Sequence, residues 1–272
     1  MAILLPELKN KFLYLTLNRP ERGNSLNPPL LVELRKEILD AQKNPNVRII
    51  VLTGMGDKDF CTGIDVGSGV TNFTTEGKVN LALVAGDIAT MLFSGKPSIV
   101  AINGRAMGMG IVFATAADYR LMVDICEWSM PEVTTGIFPG ASCVAIMSRV
   151  CGVSWTRRIL MSGQKFTPEQ ALQANVADEI CSQSDLLTKT AKIARTFKSY
   201  NQINLKAIKM ATISMPDIIY DDSLTLEEEL SSWYEWEEPE HTLHDTIKKH
   251  SVQFSLKGDP DFLISEYEMR NR

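Results

Sequence analysis

The chain has 272 residues, of which 44% are hydrophobic and 22% are charged. This composition is typical of a globular protein with a sizeable core, and it excludes wholesale disorder, which requires low hydrophobicity and a high net charge. The formal net charge is −5 and the pI is near 5.4. Because no basic surplus is present to neutralise a phosphate backbone, nucleic acid is not expected as a main partner.

Targeting and metal-binding signals are absent from the sequence. No run of about 18 apolar residues is free of charge, and the N-terminus lacks the basic region of a signal peptide, so we expect no membrane segment and a cytoplasmic location. Five cysteines without a C-x-x-C pair fit reduced thiols better than disulfides or zinc. His241 and His244 lack a third ligand, so we expect no metal site.

The first predicted elements are a strand, a helix and a second strand. Residues 12–17 form an apolar strand pattern, and the helix that follows has Asn27 as its cap and Pro28 in its first turn. Its apolar residues recur at helical spacing. The almost continuous apolar run at 47–52 predicts a strand that is buried on both faces.

The same alternation continues towards the C-terminus. A helix is predicted at about 76–93, a strand at 98–102, a small-residue helix within 106–117 and a further strand at 119–123. Helical patterns dominate from about residue 141 onward. Strands that alternate with helices predict an α/β architecture.

Two glycine-bearing turns are the candidate chemical features. The common nucleophile-elbow, phosphate-loop and zinc-protease motifs are absent. The turns at 60–65 and 103–110 each follow a buried strand, and the second opens a helix. Turns at the ends of adjacent parallel strands can direct backbone N–H groups to one point, which is how an oxyanion hole is built. Ordinary turn glycines explain both stretches as well, and the chemistry alone favours that simpler interpretation.

A set of short stretches resembles the crotonase (enoyl-CoA hydratase/isomerase) superfamily. Each stretch is modest alone, but their order and spacing together are specific. The matching stretches are 17–20, 24–26, 60–65, 97–110, 117–120, 130–132, 136–140, 161–163 and 168–171.

The resemblance implies a fold and an assembly. Residues 1–200 would form a crotonase-like spiral of ββα units, and residues 201–272 a C-terminal helical region that packs at a trimer interface. A change to an acidic, helical composition near residue 200 agrees with this division. The resemblance also implies a homotrimer or a dimer of trimers.

The resemblance further implies an acyl-CoA substrate of fatty acid metabolism. Coenzyme A would enter as part of the substrate, without a separate cofactor. By matched position, the backbone N–H groups of Ile64 and Met109 would form the oxyanion hole, and Gly140 matches a backbone position that orients a water in hydratases. Four residues would lie along the coenzyme A part of the substrate: Leu26, Thr62, Ile64 and Asp65.

One departure from the family pattern bears on the reaction. The family's hydratases use two glutamates, and this chain has Val112 at the first position and Glu132 at the second. One carboxylate is enough for a 1,3-proton shift, whereas the loss of a positioned acid or base typically costs a reaction about 10²–10⁴-fold. We therefore predict an enoyl-CoA isomerase with Glu132 as the proton carrier.

Other departures keep alternatives open. Met109 replaces the middle glycine of the usual triplet, and Ile64 replaces a small residue. Asn175 occupies a family glycine position, which asparagine tolerates because it adopts left-handed conformations. The alternatives are a hydratase, a decarboxylase or hydrolase of the same fold, or a catalytically silent protein that binds an acyl-CoA or a protein partner.

Overall fold

The computed structural model describes residues 2–65 and 81–214. The chain divides into two compact units, Met1–Lys198 and Ser199–Arg272. His241, His244 and most of the predicted C-terminal helical region lie outside the described residues, so the trimer contact assigned to that region stays a prediction. Within the described part, no helix has the length and apolar character needed to cross a membrane.

Strands and helices alternate along the described chain. The strands are β1 (Leu4–Lys9), β2 (Phe12–Leu17), β3 (Ile49–Gly54), β4 (Asp59–Cys61), β5 (Ser98–Ile102), β6 (Arg105–Met107), β7 (Tyr119–Val123), β8 (Trp128–Ser129), β9 (Lys165–Phe166) and β10 (Glu179–Cys181). The helices are α1 (Pro28–Lys43), α2 (Leu81–Ser94), α3 (Met109–Ala116), α4 (Cys143–Val150), α5 (Gly152–Ser162), α6 (Pro168–Gln173), α7 (Leu186–Ser199) and α8 (Gln202–Ser214). Short 3₁₀ turns lie at Pro20–Arg22 and Glu132–Thr135.

The larger sheet has the strand order β1-β2-β3-β5-β7-β10. Only the β1–β2 pair is antiparallel, and the remaining neighbours run parallel. Every residue of β5 is buried, as expected for a parallel strand that is covered on both faces. The predicted strands at 12–17, 98–102 and 119–123 are confirmed as β2, β5 and β7.

A smaller sheet, in the order β4-β6-β8-β9, produces the spiral. The chain passes from β3 to β4, from β5 to β6 and from β7 to β8, crossing each time from the larger sheet to the smaller one. A helix follows each such pair among the described residues, which confirms the α/β class and the ββα spiral. The turns at the ends of β4 and β6 are thereby adjacent, because β4 and β6 pair in parallel.

The first helix forms as its sequence predicts. The Asn27 side chain accepts a hydrogen bond from the N–H of Leu30 at 3.1 Å, and Pro28 stands in the first turn. Its buried residues recur at helical spacing, so that this face packs on the core. They are Leu30, Leu31, Leu34, Ile38 and Ala41.

Two sequence-based expectations need correction. Strand β1 was not predicted, because five of its six residues are exposed and it carries no clear apolar pattern. The predicted strand at 47–52 lies two residues further on, as β3, because Val47 is still in a turn and its N–H donates to the Asn44 carbonyl at 3.0 Å.

Candidate active site

The two glycine-bearing turns meet backbone to backbone. Gly63 follows β4 with φ +87°, and Gly108 follows β6 with φ +51°. A Cβ at Gly63 would lie 3.1 Å from the Met107 carbonyl oxygen and 3.4 Å from the Met109 nitrogen. The absence of a side chain at Gly63 therefore permits the close approach that brings residues 63–64 next to the start of α3.

The N–H of Ile64 is directed away from its own strand partner. Leu26 and Ile64 form an isolated parallel bridge, in which the Leu26 N–H donates to the Gly63 oxygen at 2.8 Å and the Asp65 N–H donates to the Leu26 oxygen at 3.0 Å. In a parallel bridge, the central residue turns its own N–H to the opposite side. Within residues 2–65 and 81–214, the Ile64 N–H has no acceptor.

The N–H of Met109 is also without an acceptor in the described part of the chain. Met109 is the first residue of α3, where an N–H has no partner inside the helix and where the helix dipole is positive. Gly108 sets this direction with φ +51° and ψ −124°, a conformation that requires glycine. Met109 itself has no positive φ, so its Cβ causes no backbone strain at the position of a family glycine.

Glu132 places its carboxylate beside these turns. It begins the 3₁₀ turn Glu132–Thr135. A Cβ built on Gly108 would lie 2.7 Å from Glu132 Oε1 and 3.8 Å from the Gly63 α carbon. The space beside the Gly108 α carbon is thus close to the Glu132 carboxylate and to both glycine-bearing turns. The structure therefore brings together the three predicted residues of the reaction centre, Glu132, Ile64 and Met109.

One oxygen of the Glu132 carboxylate is buried and unpaired. Its Oε2 is buried and has no hydrogen-bond partner among the described residues. Burial raises the pKa of the Glu132 carboxyl above its ordinary value, and the residue's own backbone N–H opposes the rise. A buried carboxylate oxygen without a donor is costly for the fold, which is typical of a group that acts on a bound molecule.

The residues expected along coenzyme A form a connected edge of the same site. The Thr62 N–H and Oγ1 both contact the Gly23 oxygen at 3.1 Å. Arg19 Nη2 pairs with Asp65 Oδ2 at 2.9 Å, and Arg19 Nη1 donates to the Ser25 oxygen at 2.6 Å. Leu26 joins this edge through its bridge to Ile64.

Sequence reasoning missed Arg19 as part of this edge. It lies in the matching stretch 17–20, but an arginine in a loop gives no sign of its partner. The pair with Asp65 connects the loop at 19–26 to the residue that follows Ile64 in the turn after β4.

The two positions that would hold a water molecule, Val112 and Gly140, offer no free polar group. Val112 lies on α3, is 1% exposed and brings no polar group to the site. The Gly140 N–H already donates to the Phe138 oxygen at 2.9 Å, so it is not free to orient a water in this conformation. Asn175 adopts φ +56°, which confirms that asparagine takes the left-handed conformation there.

This arrangement can move a proton on a carbon atom next to a carbonyl group. Two backbone N–H groups are free to hold a developing oxyanion, and one carboxylate with a raised pKa stands near them. The site lacks a second carboxylate at Val112. Among the described residues no group of three histidine, cysteine, aspartate or glutamate side chains could hold a metal ion.

Comparisons with known proteins agree on one family. A family model described as enoyl-CoA hydratase/isomerase matches residues 7–257. The chain is 30% identical over 213 residues to the (E)-benzylidenesuccinyl-CoA hydratase of Thauera aromatica, which covers 78% of this chain and 82% of that protein. It is 27% identical over 267 residues to the 2,3-dehydroadipyl-CoA hydratase of Escherichia coli strain K12, covering 96% and 99%.

Solved structures support the fold. The enoyl-CoA hydratase from Bacillus anthracis superposes with a TM-score of 0.79 at 23% identity, over 92% of this chain and 98% of that chain. The enoyl-CoA hydratase from Thermoplasma volcanium GSS1 gives a TM-score of 0.77 at 26% identity, over 91% and 96%.

Proposed function

The chain belongs to the enoyl-CoA hydratase/isomerase family, and from this premise we propose that it shifts the double bond of an enoyl-CoA thioester. The observation that carries the proposal is the Glu132 carboxylate, buried against Gly108 with Oε2 unpaired, beside the free N–H groups of Ile64 and Met109. The absence of a second carboxylate at Val112 favours isomerisation within the family.

The proposed reaction begins with ionised Glu132 and a 3-enoyl-CoA. The C2–H bond breaks, its proton goes to Glu132, and the electron pair delocalises onto the thioester oxygen to give a dienolate. The Ile64 and Met109 N–H groups hold that oxygen. Return of the proton at C4 forms the C2=C3 double bond and restores the Glu132 carboxylate, so atoms and charges balance.

The two N–H groups act mainly on the dienolate. Their directions are fixed by the bridge to Leu26 and by the start of α3, so they need little reorganisation when the negative charge develops. One such donor is typically worth about 10²–10³-fold in rate. Burial of the carboxylate raises the pKa of Glu132 towards that of a useful acid as well as a base, because the same group must both take and return the proton.

Hydration of a 2-enoyl-CoA is the second candidate function, because the relatives are named hydratases. Against it stand Val112, which cannot hold or split a water, and the Gly140 N–H, which is engaged by Phe138. The two candidates share the oxyanion hole and Glu132, so they differ only in how a water would be held.

The assembly and location stay predictions. We propose a homotrimer or a dimer of trimers acting in the cytoplasm. Support for a subunit contact comes from exposed apolar side chains on α5, on the Glu132–Thr135 turn and in the loop that follows it. They are Val133, Ile137, Phe138, Val153 and Met161.

The test is proton exchange on a saturated acyl-CoA in D₂O, followed by mass spectrometry, with Glu132→Gln as the comparison. We expect deuterium at C2 with the wild-type protein and a loss of about 10²–10⁴-fold in the variant, with coenzyme A binding retained. Equal exchange by both proteins would remove Glu132 from the mechanism. Binding without exchange above the variant would favour a silent, acyl-CoA-binding protein.

A parallel assay separates the two reactions. A 3-enoyl-CoA and a 2-enoyl-CoA are offered to the same protein, and the products are separated by chromatography. Conversion of the 3-enoyl-CoA that exceeds hydration of the 2-enoyl-CoA supports the isomerase, and the reverse order supports the hydratase.

A further inference from the structure

The peptide group that carries the Ile64 N–H is held from its other side. Because a peptide bond is planar and trans, the Ile64 N–H and the Gly63 oxygen point in opposite directions from the same group. The Gly63 oxygen accepts a hydrogen bond from the Leu26 N–H at 2.8 Å. The direction of the Ile64 N–H therefore depends on the direction of the Leu26 N–H.

The same relation leads back to an arginine side chain. The Leu26 N–H belongs to the peptide group of the Ser25 oxygen, and that oxygen accepts a hydrogen bond from Arg19 Nη1 at 2.6 Å. Two peptide groups thus connect the Arg19 guanidinium to the Ile64 N–H through two hydrogen bonds. Both peptide groups have the same sense, because each turns its oxygen towards the positive charge and its N–H towards the site.

The guanidinium is itself fixed in place. Arg19 Nη2 pairs with Asp65 Oδ2 at 2.9 Å, and both side chains are largely buried. The Arg19 backbone is held by the buried Asn24, whose Oδ1 accepts the Arg19 N–H at 3.0 Å and whose own N–H donates to the Arg19 oxygen at 2.9 Å. A planar guanidinium holds two acceptors at once in a fixed geometry, which the single ammonium group of a lysine does not reproduce.

We propose that Arg19 is a positioning residue for the oxyanion hole: through these two peptide groups it orients and polarises the Ile64 N–H. This inference rests on the part of the proposed function in which that N–H holds the thioester oxygen. Hydrogen bonds in a chain polarise one another, and a charged donor at the start of the chain is stronger than a neutral one. Because the oxygen carries most negative charge in the dienolate, Arg19 acts mainly on the rate of proton transfer and less on substrate binding.

The test is the infrared stretching frequency of a saturated acyl-CoA that is labelled with carbon-13 at its thioester carbonyl. The acyl-CoA is bound at saturating concentration to Glu132→Gln, so that no reaction disturbs the measurement. A carbonyl held by stronger donors stretches at a lower frequency. Adding Arg19→Met removes both guanidinium contacts and is expected to raise the frequency towards that of the thioester in water-free solvent. Adding Arg19→Lys keeps the charge and is expected to raise the frequency less.

The rate of proton exchange gives a second readout, measured with Glu132 intact. Complete loss of one oxyanion donor typically costs about 10²–10³-fold, and Arg19→Met weakens the Ile64 donor without removing it. We therefore expect kcat for deuterium exchange to fall by about 10–100-fold, with a smaller change in KM. A residue that serves only the stability of the fold would lower the amount of folded protein and leave kcat per folded molecule unchanged.

Arg120→Met is the matched control, because Arg120 makes the same two kinds of contact. Its Nη2 lies 2.6 Å from Asp178 Oδ1, and its Nη1 donates to the Ala117 oxygen at 2.9 Å. These contacts lie beyond the C-terminal end of α3, and Met109 begins the other end of that helix. Arg120→Met is therefore expected to lower Tm and to leave the carbonyl frequency and kcat unchanged.

The outcomes separate this inference from the proposed function. A raised frequency with Arg19→Met but not with Arg120→Met supports it. An unchanged frequency with both Arg19→Met and Arg19→Lys, or an equal rise with Arg120→Met, overturns it. Thermal unfolding identifies the folded variants, and Arg19→Lys alone decides the question if Arg19→Met does not fold. Full exchange activity in Glu132→Gln overturns the proposed reaction, whereas the frequency still decides the role of Arg19.

Discussion

Gly108→Ala tests whether the site depends on the contact between Gly108 and Glu132. A Cβ at Gly108 would lie 2.7 Å from Glu132 Oε1, and ordinary contact begins at 3.4 Å. The oxygen must therefore retreat by about 0.7 Å, which is 3.4 minus 2.7 Å. Because this atom is the end of a flexible side chain, the movement costs the fold little, but it displaces the group that would carry the proton.

The expected loss in the rate of proton exchange follows from the displacement of Glu132 Oε1. A misplacement of about 1 Å in a catalytic constellation costs up to about 10²-fold, so we expect proton exchange on the acyl-CoA to fall by about 30–100-fold. The positive φ of +51° adds backbone strain for alanine. This strain is of the order of 1–3 kcal/mol. It would lower Tm by about 2–4 °C per kcal/mol in a chain of this size.

Gly152→Ala is the matched control. Gly152 has φ +72°, and a Cβ there would meet nothing within 4 Å. It carries a positive-φ penalty without a contact to Glu132, so it is expected to lower Tm and to leave exchange at the wild-type rate. Both variants are measured by deuterium exchange and by calorimetry. Wild-type exchange in Gly108→Ala, or equal losses of exchange in both variants, would refute the reasoning.

Two further predictions concern the carboxylates. Because burial raises the pKa of Glu132, its ionised form is disfavoured in the fold, and Glu132 costs stability at pH values above the raised pKa but not below the ordinary value of 4.5. Glu132→Gln is therefore expected to raise the free energy of unfolding at pH 8 by about 0.5–2 kcal/mol, an amount typical of a single stabilising substitution, and so to raise Tm there; it is expected to lose this advantage at pH 3.5. An equal Tm difference at both pH values in calorimetry would contradict it. Val112→Glu is expected to raise 2-enoyl-CoA hydration about tenfold or more, within the 10²–10⁴-fold that a positioned acid or base supplies, and to lower Tm because Val112 is 1% exposed. Hydration is measured by the loss of enoyl absorbance. An unchanged rate in a folded variant would show that the missing carboxylate is not what limits hydration.

Strands β2, β5 and β7 of the larger sheet were predictable because each has five or six residues and a largely apolar sequence. The run at 98–102 lies between Pro97 and Asn103 and is wholly buried, so periodicity and its ends both identify β5. The smaller sheet was not predictable in the same way. Strands β8 and β9 have two residues each, and no apolar pattern is readable over two residues. They form because β6 already presents an edge, which is a property of the assembled chain.

The residues of the candidate site were also predictable only in part. Matched positions were enough to name Ile64, Met109 and Glu132, since those positions depend on order and spacing along the chain. The unpaired state of Glu132 Oε2 was not predictable, because it depends on which donors are missing around it in space. A loop arginine carries no such sign in sequence, and for that reason the pairing of Arg19 with Asp65 emerged only from the structure.

The unpaired oxygen also bears on why one carboxylate serves this site. In a site with a second acid, each carboxylate constrains the other through charge repulsion, and the two pKa values separate. Here Val112 removes that repulsion, so burial alone raises the pKa of Glu132 and no partner charge fixes its protonation state. A single group that is poised to take a proton and to return it is what a 1,3-shift requires. The holding of a water demands a second polar group, and neither the buried Val112 side chain nor the Gly140 N–H, which donates to the Phe138 oxygen, supplies one.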